Sequence, residues 1–134
     1  MNDSFDHDEA PSPNGELVLQ TVAMPSDTNP RGDIFAGWVM SQMDMAASIV
    51  VTKITRSRVA TVAVNGMDFM SPVHVGAVVS CYVQVSNMGR SSMTVNVEVW
   101  VDHKVTFEPV KVTESEFVFV ALDDQGRSQP IDKV

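Results

Sequence analysis

Asp44 is the only charged residue between Asp33 and Lys53, and it lies inside an otherwise apolar run from Phe35 to Val51. Burying an isolated charge is very unfavourable, so a carboxylate in such a run needs hydrogen-bond partners. Environments of this kind are common where carboxyl groups take part in chemistry, and structural networks produce them too. The pattern alone therefore favours neither a catalytic nor a structural interpretation of Asp44.

The polar residues of this run lie on one side of a predicted helix. Ser41, Asp44, Ser48 and Thr52 are spaced so that they form one stripe on a helix of 3.6 residues per turn. The other faces are apolar, which predicts a helix enclosed by protein with its polar stripe toward a cleft or a partner. In the structural alternative, Asp44 is a satisfied core or interface carboxylate that is held by the hydroxyls of Ser41 and Ser48 or by backbone N–H groups.

Charge is distributed unevenly along the 134 residues. The net charge is -8, and a leader before the first basic residue supplies half of it through Asp3, Asp6, Asp8 and Glu9. Between residues 45 and 97 the balance reverses, with one acid, Asp68, against Lys53, Arg56, Arg58 and Arg90. The overall charge argues against a nucleic-acid partner, whereas the basic middle suits either a phosphorylated or carboxylated ligand or a solvated loop.

Other common functional classes lack their sequence signals. No apolar stretch approaches the ~20 residues needed to cross a bilayer, and the start of the chain has no secretory signal, which predicts no membrane partner and a cytoplasmic location. The three histidines have no spacing typical of paired metal ligands, so no metal site is predicted. The single cysteine, Cys81, alternates in register with apolar residues and is predicted to face the core.

The order of elements predicts an α+β domain with one long helix on one face of an antiparallel sheet. We expect a disordered acidic leader over residues 1–14, a folded domain over 15–123 and a C-terminal tail over 124–134. Strands are predicted over 16–24, 58–66, 77–87, 92–103 and 110–122, with a turn at residues 87–90. Asp33 is placed to cap the helix that follows it.

Several motifs together resemble the YciA-type acyl-CoA thioesterases of the hotdog-fold superfamily, over about residues 17 to 120. The most specific motif is Ala23-Met-Pro-Ser-Asp-Thr-Asn29-x-x-Gly32-Asp33-Ile-Phe-x-Gly37-Trp-x-Met-Ser-Gln-Met-Asp44. It is followed by Val64-x-Gly66-Met-x-Phe69-x-x-Pro72-Val-x-x-Gly76, Gly89-x-x-Ser92 and Val97-Glu98-Val99. The resemblance implies a hotdog fold, in which an antiparallel sheet wraps around one long central helix.

The resemblance also implies roles for residues near the helix. Asp44 corresponds to the acidic catalytic residue of the family, acting as general base or as nucleophile. Backbone N–H groups around Ala36 and Gly37 would hold the thioester oxygen as negative charge develops. Asn29 and Asp33 resemble the polar residues that shape the mouth of the site.

A second group of residues is implied in coenzyme A binding. Arg90, Ser91 and Ser92 match the family turn that contacts coenzyme A. Arg56 or Arg58 could neutralise its phosphates, an assignment that depends on charge alone. Beyond coenzyme A as part of the substrate, no cofactor is expected.

The family pattern implies a homodimer as the minimal unit and a hexamer built as a trimer of dimers. The carboxylate and the oxyanion donors can then come from different copies. This chain departs from the pattern at Ala36, where a glycine is common, and at Ala77, where an aspartate is usual. Two alternatives stay open: a hydratase or dehydratase on the same fold, which usually needs a histidine in its cleft, and a non-catalytic acyl-CoA sensor or oligomeric binding module.

Overall fold

One helix and five strands make up the part of the chain that the computed structural model describes, residues 11–131. Their bounds are β1 (Glu16–Val22), α1 (Ala36–Thr55), β2 (Arg58–Asn65), β3 (Val78–Met88), β4 (Ser92–Asp102) and β5 (Pro109–Leu122), with a short 3₁₀ turn at Pro25–Asp27. All five predicted strands and the predicted helix are confirmed. Residues 1–10 of the expected leader lie outside the described residues.

The strands form one antiparallel sheet in the order β1-β3-β4-β5-β2. Strands β3, β4 and β5 follow one another as hairpins at its centre, as the alternating apolar residues of β4 predict. The strands that precede and follow the helix in the chain, β1 and β2, form the two edges of the sheet. The predicted α+β architecture is therefore confirmed.

The core lies between α1 and one face of the sheet. Val95, Val97 and Val99 of β4 point toward the helix, where Ala46 and Ala47 lie at the contact. Alanine's small side chain lets a helix approach a sheet closely, so the helix packs along its length against all five strands. The predicted core position of Cys81 is confirmed, and burial raises the pKa of its thiol to about 12.

The opposite face of α1 remains open in a single chain. Met40, Met45 and Ile49 are all exposed, Met45 to 47%. The expected enclosure of the helix is thus not reached within one chain, because the sheet covers only one side. On the neighbouring edge strand β2, Val62 is 57% exposed.

A buried carboxylate ties the N-terminal segment to the outer face of the sheet. Glu98 is only 2% exposed, and its Oε1 accepts a 2.8 Å hydrogen bond from Trp100 Nε1. Its Oε2 accepts a 3.2 Å hydrogen bond from Asn14 Nδ2 and lies 3.8 Å from Lys111 Nζ. These contacts hold residue 14 against β4.

The chain after β5 turns back along the sheet. The N–H of Gln129 donates to Ala121 O at 2.9 Å, and the N–H of Ile131 donates to Arg90 O at 2.8 Å. The Ile131 side chain is buried in the core cluster. Ile131 therefore contacts the turn between β3 and β4. Residues 132–134 lie outside the described part.

Over residues 11–131, no helix is long and apolar enough to span a membrane. The same stretch contains no group of three His, Cys, Asp or Glu side chains arranged to hold a metal ion.

Candidate active site

Asp44 lies midway along α1, half-buried, and faces the edge strand β2. Its Oδ1 accepts a 2.7 Å hydrogen bond from the hydroxyl of Thr61. Among the described residues no group donates to Oδ2. One carboxylate oxygen is therefore fixed by the protein and the other is available to a substrate or to water.

The two serines beside Asp44 on the helix stripe do not hold it. Ser41 Oγ donates to Trp38 O at 2.6 Å, and Ser48 Oγ donates to Met45 O at 2.9 Å. Helical serines commonly bond to carbonyls of the preceding turn in this way. The structural alternative based on these serines is therefore wrong.

Thr61 is the partner that sequence reasoning missed. It lies on β2 next to an irregularity in the pairing with β5, between Thr61 and Ala63. Threonine is a good strand former, so its presence in β2 carries no functional signal by itself. Only the packing of β2 beside α1 brings the hydroxyl to the carboxylate.

The N-terminus of α1 presents free backbone donors. Helix α1 begins at Ala36 after an N-cap residue, Phe35, which makes no side-chain capping bond. Within residues 11–131 no oxygen accepts from the N–H groups of Ala36 or Gly37. Ala36 and Gly37 are both exposed, and a Cβ added at Gly37 would meet nothing within 4 Å. Such amides at the positive end of a helix can stabilise a developing oxyanion.

Asn29 shapes the loop that leads into this helix. Its Oδ1 accepts hydrogen bonds from the N–H groups of Arg31 at 2.9 Å and Asp33 at 3.1 Å. The Asp33 carboxylate makes no hydrogen bond with any described residue, and the N-cap position belongs to Phe35. The prediction that Asp33 caps α1 is therefore wrong: the loop backbone orders the helix start instead, with Phe35 N–H donating to Asp27 O at 2.9 Å.

The residues predicted to contact coenzyme A lie at the end of the molecule that is opposite the N-terminus of α1. Arg58 pairs with Leu122 and Ser92 with Val120, so β5 brings the start of β2 and the start of β4 to one end of the sheet. Arg56 ends the helix in a left-handed conformation with φ 53°. Its side chain is exposed, as are those of Arg58 and Arg90, and Ser91 is half-buried.

This basic end also carries an acidic group. The N–H groups of Arg127 and Gln125 donate to Asp123 Oδ1, each at 2.9 Å, and hold the pKa of this carboxyl below its usual value. Asp123 thus stays ionised close to Arg58, whose charge also lowers its pKa. Part of the positive field at this end is offset by Asp123.

The candidate groups are too widely spaced to form one site within a single chain. Gly37 and Asp44 are separated by roughly 10 Å along the axis of α1, at 1.5 Å per residue. An oxyanion donor and a nucleophilic or basic group must both lie about 3 Å from one reacting centre. Met40 and Met45 are exposed on the open, apolar side of the same helix.

A family model described as the thioesterase superfamily matches residues 31–108. The chain belongs to this superfamily. The matched segment runs from the loop before α1 to the end of the loop between β4 and β5, and it includes Gly37, Asp44 and Thr61.

Curated relatives place the chain among the YciA-type members of the thioesterase superfamily. It is 50% identical to the acyl-CoA thioester hydrolase YciA of Salmonella typhimurium over 124 residues, covering 90% of this chain and 92% of the relative. It is 49% identical to YciA of Escherichia coli K12, covering 89% of this chain and 92% of the relative. The resemblance inferred from the motifs is confirmed.

Solved structures agree with the superfamily assignment. HI0827, described as a hexameric broad specificity acyl-coenzyme A thioesterase, aligns with a TM-score of 0.86 and 50% identity over 91% of this chain and 84% of that chain. The hexameric thioesterase y2039 of Yersinia pestis aligns with a TM-score of 0.87 and 50% identity, over 92% of this chain and 100% of that chain. The hexameric hotdog fold thioesterase Cj0915 of Campylobacter jejuni aligns with a TM-score of 0.82 and 39% identity, over 88% and 91% of the two chains. The hotdog fold is thus confirmed for this thioesterase.

Proposed function

We propose that this protein hydrolyses acyl-CoA thioesters to a free acid and coenzyme A, with Asp44 as the catalytic carboxylate. The observation that carries the proposal is the environment of Asp44, which is half-buried, with Oδ1 bonded to Thr61 and Oδ2 without a donor among residues 11–131. A carboxylate that served only the core would have both oxygens paired. The relatives named acyl-CoA thioester hydrolase support the choice of substrate.

In the general-base route, Asp44 Oδ2 takes a proton from water while the water oxygen attacks the thioester carbonyl carbon. The carbonyl electrons move onto oxygen, and the resulting oxyanion accepts hydrogen bonds from the N–H groups of Ala36 and Gly37. The carbon–sulfur bond then breaks, the thiolate leaves with the electron pair, and the proton on Asp44 is returned to sulfur. Water and thioester are consumed, and acid and thiol are formed.

In the nucleophilic route, Asp44 Oδ2 attacks the carbonyl carbon itself and releases the coenzyme A thiolate. The mixed anhydride that results is then hydrolysed by water, which restores the carboxylate. Both routes use the same oxyanion donors and the same free oxygen. They remain alternatives for this chain.

The functional unit is a pair of copies, and three pairs form a hexamer. The separation of Gly37 from Asp44 along α1 and the exposed apolar face of the helix support a site shared between two copies. The hexameric assembly of HI0827 and y2039 supports the larger particle. In such a pair, the carboxylate of one copy works with the helix amides of the other.

Asn29 and Asp33 form the mouth of the site. Asn29 orders the loop, and the Asp33 carboxylate has no hydrogen-bond partner in the described part of the chain. The turn at Arg90, Ser91 and Ser92 contacts coenzyme A. Arg56 and Arg58, exposed at the same end, neutralise its phosphates. A cytoplasmic location stays a prediction.

The test is a thiol-release assay with short, medium and long acyl-CoAs, run on the parent protein and on Asp44→Asn. Loss of the base or nucleophile should lower kcat by about 10²–10⁴-fold and leave the circular dichroism spectrum unchanged. Asp68→Asn is the matched control, because Asp68 is an exposed aspartate whose side chain makes no hydrogen bond with the described residues. This control should turn over at the parent rate.

Asp44→Asn with parent activity would remove Asp44 from the mechanism. Acyl-CoA binding without thiol release at any chain length would favour the sensor, and hydration of an enoyl-CoA without thiol release would favour a hydratase. His74 and His103, the histidines that the structure describes, lie near the ends of β3 and β4 and not beside Asp44. Their position gives the hydratase no structural support.

A further inference from the structure

The loop between β4 and β5, residues 103–108, carries the two most exposed large apolar side chains of the described chain. Val105 is 75% exposed and Phe107 is 74% exposed. We call this loop the hairpin tip. Its apolar side chains point into solvent, although most of its other residues are polar or charged.

The hairpin tip is ordered by its own hydrogen bonds. His103 Nδ1 accepts from the N–H groups of Val105 and Thr106, each at 3.1 Å. The N–H of Phe107 donates to His103 O at 2.9 Å, and the N–H of His103 donates to Glu108 O at 2.7 Å. These bonds order the backbone from which the Phe107 side chain projects.

Phe107 is an unfavourable choice for this position in an isolated chain. Its φ is 61°, in the left-handed region that glycine and asparagine adopt readily and bulky residues avoid. An exposed phenylalanine ring also contributes none of the favourable free energy that its burial would provide. Two local costs without a compensating contact among residues 11–131 indicate that the compensation comes from a partner.

The neighbouring surface extends the apolar area. The hairpin tip borders a groove of about 320 Å³ formed with the segment 74–78. Val75 and Val78 of that segment are also exposed. A contiguous apolar surface of this kind, with His74 and Lys104 at its rim, is typical of a protein–protein contact.

We propose that the hairpin tip and the adjoining Val75–Val78 segment form the contact between pairs in the hexamer, with a second copy of this chain as the occupant. The proposal depends on the hexamer inferred above. A closed particle of three pairs needs two different interfaces. The open side of α1 and the edge of β2 supply the first interface, the one within each pair.

The hairpin tip is available for the second interface because it lies away from that edge. The pairing of β2 with β5 ends at Asn65 and Glu116. Strand β5 begins at Pro109, roughly 20 Å away at 3.3 Å per residue. The tip therefore projects beyond the part of the sheet that β2 borders.

The test compares the parent protein, Phe107→Asn and Ser128→Ala by sedimentation velocity at one chain concentration. Asparagine suits the left-handed backbone, so Phe107→Asn removes the aromatic ring without straining the turn. Ser128→Ala changes an exposed side chain outside the hairpin tip and the 74–78 segment. We expect the parent and Ser128→Ala to sediment as six chains of 14.6 kDa each and Phe107→Asn to sediment as two.

Thiol release is measured on the same samples, and turnover per chain of Phe107→Asn should equal that of the parent because the shared site lies within a pair. A six-chain Phe107→Asn overturns the proposal. So does a one-chain Phe107→Asn, which would assign the tip to the pair interface, and so does a parent protein that stops at two chains. If the parent protein hydrolyses no acyl-CoA, the proposed function fails. The number of chains per particle is measured independently of this result.

Discussion

At the scale of single residues, the two oxygens of Asp44 have different environments. Oδ1 is bonded to Thr61 at 2.7 Å, and Oδ2 has no donor among the described residues. A hydrogen bond to one oxygen restricts rotation of the carboxylate and so directs the other oxygen. In the proposed mechanism, Thr61 therefore acts on the reaction through Asp44, as a positioning residue.

Thr61→Val should reduce kcat by about 10-fold and change KM little, because a hydrogen bond to a charged group is worth about 1.5 kcal/mol. Valine has nearly the same shape, so the strand should be preserved. Thr61→Ser keeps the hydroxyl and should restore most of the rate. Steady-state kinetics of the three proteins checks the prediction, and a Thr61→Val enzyme with parent kcat would contradict it.

Residue roles could be predicted only where the residue type itself is unusual for its setting. Asp44 stands out because carboxylates are rare in apolar helices, and the motif around it adds the family pattern. Thr61 does not stand out, since threonine is common in strands and its role depends on a contact 17 residues away. Asp33 was predicted wrongly because capping rules describe the local chain, and here Asp27 O accepts from the N-cap residue across the loop.

At the scale of elements, the returning segment after β5 stabilises the turn between β3 and β4. Ile131 supplies both a buried side chain and a hydrogen bond to Arg90 O. Ile131→Ala should lower the free energy of unfolding by about 2–4 kcal/mol, the usual range for this truncation in a core. Urea denaturation at fixed protein concentration measures it.

Ser128→Ala is the control for Ile131→Ala, because Ser128 is exposed in the same segment. It should change the free energy of unfolding by less than about 0.5 kcal/mol. Equal stability of Ile131→Ala and the parent would mean that the segment is not part of the cooperative fold.

The buried carboxylate on the outer face makes a second prediction for an element. Glu98→Ala should destabilise the protein by about 3 kcal/mol, because Trp100 Nε1 loses its acceptor inside the protein. Glu98→Gln keeps an acceptor oxygen for the indole N–H and should cost less. Thermal unfolding followed by circular dichroism ranks the two variants, and the reverse order would show that the charge matters more than the hydrogen bond.

The elements themselves could be predicted well, and their arrangement less so. The strict alternation of Val95, Val97 and Val99 identifies β4, and the spacing of apolar residues identifies α1. The sheet order β1-β3-β4-β5-β2 is set by pairings between distant segments, such as Glu16 with Val83, which local periodicity does not contain. The exposure of one side of α1 could not be predicted either. An apolar residue that packs against a second chain gives the same sequence pattern as one that packs in a core.

At the scale of the whole molecule, a site shared between copies predicts complementation. Asp44→Asn removes the carboxylate, and Gly37→Pro removes one oxyanion donor, since proline has no N–H and is tolerated in the first turn of a helix. A hybrid pair contains one copy of each variant. If each site takes its carboxylate from one copy and its amides from the other, one of the two sites carries both substitutions and the other carries neither. Mixing the two inactive variants with subunit exchange should therefore restore about a quarter of the parent activity.

Thiol release by the mixture, compared with each variant alone, measures this recovery. The control is a mixture of Asp44→Asn with the double variant Asp44→Asn/Gly37→Pro, in which every site lacks the carboxylate. No recovery in the test mixture after proven exchange would place the carboxylate and the amides of each site in one chain. Recovery in the control, where every site lacks the carboxylate, would remove Asp44 from the mechanism.

The buried position of Cys81 has a consequence for an enzyme whose product is a thiol. Under oxidising conditions, coenzyme A can form mixed disulfides with accessible, ionised cysteines. Burial keeps Cys81 out of contact with solvent, and a thiol pKa of about 12 keeps it protonated at neutral pH. The folded protein can therefore release coenzyme A repeatedly without being covalently captured by it, and incubation with coenzyme A disulfide should leave its mass unchanged.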